Sequence, residues 1–194
     1  MTHFEGHFFA MSVQNVAPTL ESARSVLLLD YDGVLHRGDA FRTKMGIVSS
    51  DPSRIQLFEF AELLAGILDP YPDVEIVLST SWVKALGFTR ARDALPVKAL
   101  RDKVVGATYH TRFHDAHQWH DLLRGAQVLR YVQRHHLGKW LAIDDHAEGF
   151  EMVPSNLVLC DTDKALGDAG VQTVLKAALH NTFGCGPPSS GRRI

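Results

Sequence analysis

Apolar residues along this chain collect into short runs that stop abruptly at polar ones. Residues 26–29 (Val-Leu-Leu-Leu) end at Asp30, residues 74–78 (Val-Glu-Ile-Val-Leu) end at Ser79, Thr80 and Ser81, and residues 139–145 (Lys-Trp-Leu-Ala-Ile-Asp-Asp) end in two acids. Runs this short and this apolar predict parallel strands buried on both faces, and weaker runs at 102–108 and 156–160 add two more. Between the strands, apolar residues recur at helical spacing. Ile55, Phe58, Ala61, Leu64, Ala65 and Leu68 predict a helix from Asp51, with Pro52 in its first turn and Pro70 and Pro72 beyond its end. Further helices are predicted at 83–94, at 116–136, where Leu122, Leu123, Ala126, Leu129 and Val132 share one face, and at 171–179. Strands alternating with helices predict an α/β fold whose parallel sheet is covered on both faces and joined by right-handed crossovers. Residues 36–50 have few apolar positions among Gly38, Asp39, Arg42, Lys44 and Gly46, and predict a looped or hairpin flap.

In such a sheet the strand carboxyl ends share one edge, and ligands bind there. Asp30 and Asp32, Thr80 and Ser81, and Asp144 and Asp145 all fall at that edge. Two carboxylates as close as Asp30 and Asp32 repel each other unless a proton or a cation lies between them, so the spacing asks for a metal. Gly33 lets the chain turn sharply just past them. A lone aspartate commonly caps a turn. Acids and hydroxyls converging from separate strands carry more weight than any one of them.

The 194 residues suit one domain, and a composition of 45% hydrophobic and 22% charged residues is that of an ordinary globular chain. A net charge of -2 gives no general attraction to nucleic acid or anionic lipid, so any such attraction is local. Cys160 and Cys185 alone make neither a disulfide framework nor a cysteine metal site, which favours a reducing, cytoplasmic setting. Residues 1–24 lack the basic start and sustained apolar stretch of a signal peptide, and no segment approaches the ~20 apolar residues that span a bilayer. The expectation is a domain at 25–183 between loosely held ends at 1–24 and 184–194, with no membrane partner. No pattern bears on oligomeric state.

Asp30-Tyr31-Asp32-Gly33-Val34 after an apolar strand, Thr80 in Leu78-Ser79-Thr80-Ser81-Trp82, and Asp144-Asp145 after a third strand follow the order of three motifs of the haloacid dehalogenase (HAD) superfamily. Residues 25–180 resemble that superfamily. The resemblance implies a Rossmann-like, three-layer α/β/α sandwich with sheet order 5-4-1-2-3. No large cap domain is expected, because the stretches on either side of the second motif are already filled by elements. Asp-Gly-Val-Leu-His at 32–36, Ser-Thr-Ser-Trp at 79–82, Val-Val-Gly-Ala-Thr at 104–108 and Trp-Leu-Ala-Ile-Asp-Asp at 140–145 look most like the HAD domains of Swiss Army Knife RNA repair proteins.

By that resemblance Asp30 is the nucleophile of a phosphatase that works through an aspartyl-phosphate, and Asp32 is the acid and base that serves it. Mg2+ would be held by the Asp30 side chain, the Asp32 main-chain carbonyl and Asp145, while Asp144 orients a bound water or the adjoining loop. Thr80, Ser81 and a cation would bind the phosphoryl oxygens. The superfamily takes that cation from the start of the helix before the fourth strand, where Arg124 is best placed, with Lys139 and Lys103 as alternatives. Dehalogenases lack the second acid, so Asp32 points away from carbon–halogen cleavage.

By the same resemblance, an uncapped site suits phosphates at the ends of large molecules, such as RNA or DNA termini or a phosphoprotein, better than small metabolites. The alternatives are a small-molecule nucleotidase and a HAD-like binding module without catalysis. His36, Arg37, Arg42, Lys44 and Trp82 are candidates for contacting a nucleic-acid backbone and base, against a solvated loop and a core tryptophan. On a helix, His110, His114 and His117, with His120 nearby, would form a transition-metal face; otherwise they are surface or substrate-facing histidines.

Overall fold

The computed structural model describes residues 24–44, 46–111, 119 and 121–184. After β1 (Ser25–Leu29), a hairpin of β2 (Ala40–Thr43) and β3 (Gly46–Ser49) precedes α1 (Ala61–Leu68) and β4 (Val74–Leu78). Three short helices follow, α2 (Ser81–Leu86), α3 (Phe88–Asp93) and α4 (Lys98–Lys103), then β5 (Val104–Ala107) and α5 (Arg124–Arg134). The chain continues through β6 (Lys139–Asp144) and β7 (Leu157–Leu159) to α6 (Ala169–Phe183).

Val26, Leu27, Leu28 and Leu29 of β1 have no exposed surface, so this strand needs cover on both faces and takes the centre of the five-stranded sheet. The order is β5-β4-β1-β6-β7, with every pairing parallel. Read from the other edge and numbered along the chain, it is the expected 5-4-1-2-3. Alternate side chains serve different cores. Leu27, Leu29, Ile76, Leu78, Leu141 and Ile143 pack with α1, α3, α4 and α6, while Val26, Leu28, Val77 and Ala142 pack with α5. The flap expected at 36–50 is the β2–β3 hairpin, and among the described residues it is the insertion between β1 and α1 that carries strands. No described helix is long and apolar enough to cross a membrane.

Several helix boundaries differ from those the pattern predicts, each for a local reason. The first helix begins at Ala61 rather than Asp51. Phe58 takes a left-handed backbone (φ 60°) that an α-helix excludes, and its ring packs on Tyr31 and Trp82 instead. Gly87 (φ 86°) splits the predicted 83–94 helix into α2 and α3. Asp102 belongs to the unpredicted α4, which shortens the strand after it. Within the predicted 116–136 stretch, the α-helix begins at Arg124, and Leu123 just before it is exposed. Its buried positions are Gly125, Gln127, Val128 and Tyr131, with Leu129 and Val132 at the margin. The last helix starts two residues before Val171 because Asp168 caps it, accepting from the Gly170 and Val171 N–H groups.

Candidate active site

Leu29 pairs with Leu78 on one side and with Ile143 on the other, so Asp30, Ser79 and Asp144, the last residue of β6, stand at one level at the end of the sheet. Asp30 N–H donates to the Ile143 carbonyl and Ser79 N–H to that of Leu29. Beyond Asp30 the chain turns back at once: Val34 and Leu35 N–H groups donate to the Tyr31 carbonyl, and Gly33 N–H to that of Gly38. Gly33 sits at φ 64°, and a Cβ there would collide with the Asp145 carboxylate. The acid at the end of β6 therefore lies directly on the turn that carries Asp32.

Arg124 opens α5 and reaches into this edge with its side chain 15% exposed. Its Nη2 donates to Asp30 Oδ2 at 3.0 Å, and its Nη1 to the Ser79 carbonyl at 3.0 Å and to Gln127 Oε1 at 3.3 Å. Its Nε lies 3.3 Å from Asp144 Oδ2. Two glycines allow the approach. The Gly125 N–H donates to the Glu148 carbonyl, and a Cβ on Gly125 would collide with the Gly149 backbone. Lys139 begins β6 and Lys103 donates to the Tyr71, Pro72 and Val74 carbonyls, so both lie at the opposite end of the sheet. Of the three candidate cations, Arg124 is the one that reaches Asp30.

Burial pushes the Asp30 carboxyl up to about 6; Arg124 and the Tyr31 N–H pull it down, while Asp32 and Asp145 push it up. Burial and the charge of Asp30 push Asp144 further, to about 9, against the pull of Arg124. Arg124 is within ion-pair distance of Asp144 Oδ2 but outside hydrogen-bonding geometry, so that buried oxygen has no hydrogen-bond partner among the described residues. Asp145 Oδ2 accepts from the Thr162 hydroxyl at 2.7 Å, and its Oδ1 lies 2.7 Å from His146 Nδ1. Ligand atoms of Asp144, Asp145 and His146 all lie within 4.8 Å of one another. This donor set fits a divalent cation. Asp30, Asp32, Asp144 and Asp145 share one arginine, and a cation among them would relieve their repulsion and serve the orphaned Asp144 oxygen.

Thr80 is fully buried and caps α2, its hydroxyl accepting from the Trp82 N–H at 3.4 Å. Ser81, the first residue of α2, is exposed. The expectation that His36, Arg37 and Trp82 contact substrate meets a different arrangement. His36 and Trp82 are buried, and both turn their ring nitrogens to the Asp32 carboxylate. Arg37 donates to Glu59 and to the Arg54 carbonyl. Arg42 holds the hairpin down through the Ala85 carbonyl. Of the histidine set, His110 is described and His114, His117 and His120 lie outside the described residues. Ser79, Gln127, His146 and Thr162 join the site without having been singled out. His146 directly follows the acid pair and Thr162 lies just past β7, and these are the available signals. Cys160 is buried nearby, and burial with the adjacent Asp145 and Asp144 pushes its thiol up to about 12, leaving it chemically quiet.

A family model described as "HAD domain in Swiss Army Knife RNA repair proteins" matches residues 26–171. The chain belongs to this family. The matched span runs from β1 into α6 and takes in every acid at the sheet edge together with Thr80 and Arg124. The HAD domain thus sits in a superfamily of phosphatases and related hydrolases that generally use a metal ion, and the Asp144, Asp145 and His146 group suits one. Neither a search of curated proteins nor one of solved structures gives a significant match.

Proposed function

We propose that this HAD domain is a Mg2+-dependent phosphomonoesterase that works through an aspartyl-phosphate on Asp30 and acts on phosphorylated RNA or DNA ends. The observation that carries the reading is a buried carboxylate held in a fixed direction at the shared strand edge. Asp30 Oδ1 accepts from the Tyr31 N–H at 2.7 Å and Oδ2 from Arg124 at 3.0 Å. Asp30 attacks phosphorus, the bond to the leaving oxygen breaks, and Asp32 delivers a proton to that oxygen. Water then attacks the aspartyl-phosphate and gives its proton to Asp32, releasing phosphate and restoring Asp30. Arg124 and Thr80 bind the phosphoryl oxygens, where negative charge is densest. Asp30, the Asp32 main-chain carbonyl, Asp144 and Asp145 would hold Mg2+, which supplies positive charge that offsets the repulsion between nucleophile and phosphate.

The hairpin insertion supports a site that large substrates can enter, and the RNA-repair family supports nucleic-acid ends. A panel of 3′- and 5′-phosphorylated oligonucleotides beside mononucleotides tests this. The oligonucleotide ends are expected to give kcat/KM at least roughly 10-fold higher. Equal or better hydrolysis of mononucleotides would make the domain a nucleotidase.

Metal binding should also depend on pH in a definite direction. Asp30 and Asp144 bind protons more tightly folded than unfolded, so their contribution to stability is full below the ordinary carboxylate range and is lost as pH rises through about 6 and about 9. A Mg2+ held by these carboxylates would take the place of those protons. Its stabilising effect is therefore expected to grow with pH, raising Tm by roughly 5 °C more at pH about 8.5 than at about 5.5 when Mg2+ is near-saturating. Thermal melts with and without Mg2+ at the two pH values measure this, and an equal shift would place the metal away from Asp30 and Asp144.

A further inference from the structure

The Asp32 carboxylate is held by two aromatic side chains from different parts of the chain. Trp82 Nε1, in the first turn of α2, donates to Oδ1 at 3.1 Å and Oδ2 at 3.2 Å. His36 Nε2 lies 3.1 Å from Oδ1, and a bridge between residues 32 and 36 brings it back there. Asp32 keeps 18% of its side chain exposed, whereas the His36 side chain has none. The indole N–H is a donor only and the Nε2–H tautomer of His36 donates as well, so both can hold the Asp32 carboxyl group while it carries a proton for delivery on its free edge.

The rings around these donors hold them still. Tyr31, Phe58 and Trp82 meet edge to face with centroids 5.1–5.6 Å apart, and His36 packs edge-on against Phe58 and Trp82. The Tyr31 hydroxyl donates to the Ala91 carbonyl. Among the described residues His36 Nδ1 is buried without a hydrogen-bond partner, and the side-chain hydrogen bond the ring makes there is to Asp32. Packing alone would favour an apolar ring at that position, because an unpartnered buried nitrogen costs free energy. A histidine there makes sense if Asp32 needs the donor.

We infer that Trp82 and His36 are positioning residues that aim the Asp32 carboxylate at the leaving oxygen, so that they govern hydrolysis of esters whose leaving group must be protonated. The inference rests on Asp32 being the acid and base proposed above. Both donors engage Oδ1 and Trp82 also reaches Oδ2, so the remaining lone-pair position of Oδ2 is the edge left to meet the ester oxygen. Without them the carboxylate would still be present, but it would turn among several directions, and proton delivery depends on its alignment.

Two substrates separate this role from a structural one. p-Nitrophenolate leaves without a proton, while the alkoxide of β-glycerol phosphate needs one, and kcat/KM covers the step in which that oxygen departs. Trp82→Phe keeps a ring and removes the donor. It is expected to lower kcat/KM on β-glycerol phosphate roughly 10- to 100-fold and on p-nitrophenyl phosphate less than about 3-fold. His36→Leu should show the same asymmetry, and His36→Gln, whose amide can donate from the position of Nε2, should restore most of the loss. Equal losses on both substrates, or none on either, in variants that melt as wild type would overturn the inference, provided Asp32→Asn itself shows the asymmetry. If Asp32→Asn affects both substrates alike, the acid/base assignment falls and the positioning role falls with it.

Discussion

Asp30→Asn is expected to abolish Mg2+-dependent phosphomonoester hydrolysis, lowering kcat by roughly 10⁴-fold or more, while the protein stays folded. The amide oxygen can still accept from the Tyr31 N–H, so the turn after β1 keeps its anchor. An amide is too weak a nucleophile to displace an alkoxide from phosphorus, and no phosphorylated enzyme should accumulate on it. The substitution also removes a carboxyl that burial pushes up to about 6, and with it a charge that adds to the burial pushing the neighbouring Asp144 up to about 9. Above neutral pH, metal-free Asp30→Asn should therefore melt at or above the wild-type temperature. Loss of activity with retained or raised Tm is the signature of a nucleophile rather than of a structural acid. Wild-type turnover by Asp30→Asn would remove the catalytic reading altogether, leaving recognition as the work of this HAD domain.

The acids at the sheet edge were legible because buried parallel strands write themselves as apolar runs and stop where the sheet stops. β1, β4 and β6 did so without ambiguity, and their register then levels Asp30, Ser79 and Asp144. What the pattern cannot carry is the direction of a side chain. Trp82 reads equally as a core residue, and it is one; its indole N–H reaching Asp32 depends on how α2 leaves β4. His36 likewise sits in a stretch that reads as solvated loop, yet the turn from Tyr31 to Gly38 folds it inward. Helix ends were lost where one residue overrode the period, as at Phe58 and Gly87. The resemblance asks for a cation in the helix ahead of β6 and so points to Arg124, but the reason it reaches Asp30 lies in the backbone contact between Gly125 and Gly149, which no periodicity reports.

Arg124→Lys should keep the fold and lower kcat/KM by roughly 10²- to 10³-fold, with a rise in KM as well as a fall in kcat. The guanidinium spreads over Asp30, Asp144, the Ser79 carbonyl and Gln127 at once, and one ammonium nitrogen cannot span that set. Lysine still carries a positive charge, so the loss would report the fork geometry rather than electrostatics alone. Arg124→Leu removes the charge too. It leaves Asp30 and Asp144 buried without a cation, which costs about 3–5 kcal/mol when the partners are ionised. Both acids can instead hold protons, and without Arg124 each would hold them to higher pH. The Tm deficit of Arg124→Leu relative to wild type should therefore be small near pH about 6 and widen toward about 8.5, in melts without Mg2+. A deficit independent of pH would mean that Arg124 stabilises α5 by packing and not by facing these carboxylates. Wild-type kcat/KM in Arg124→Lys would mean that the fork geometry does not serve the phosphoryl group.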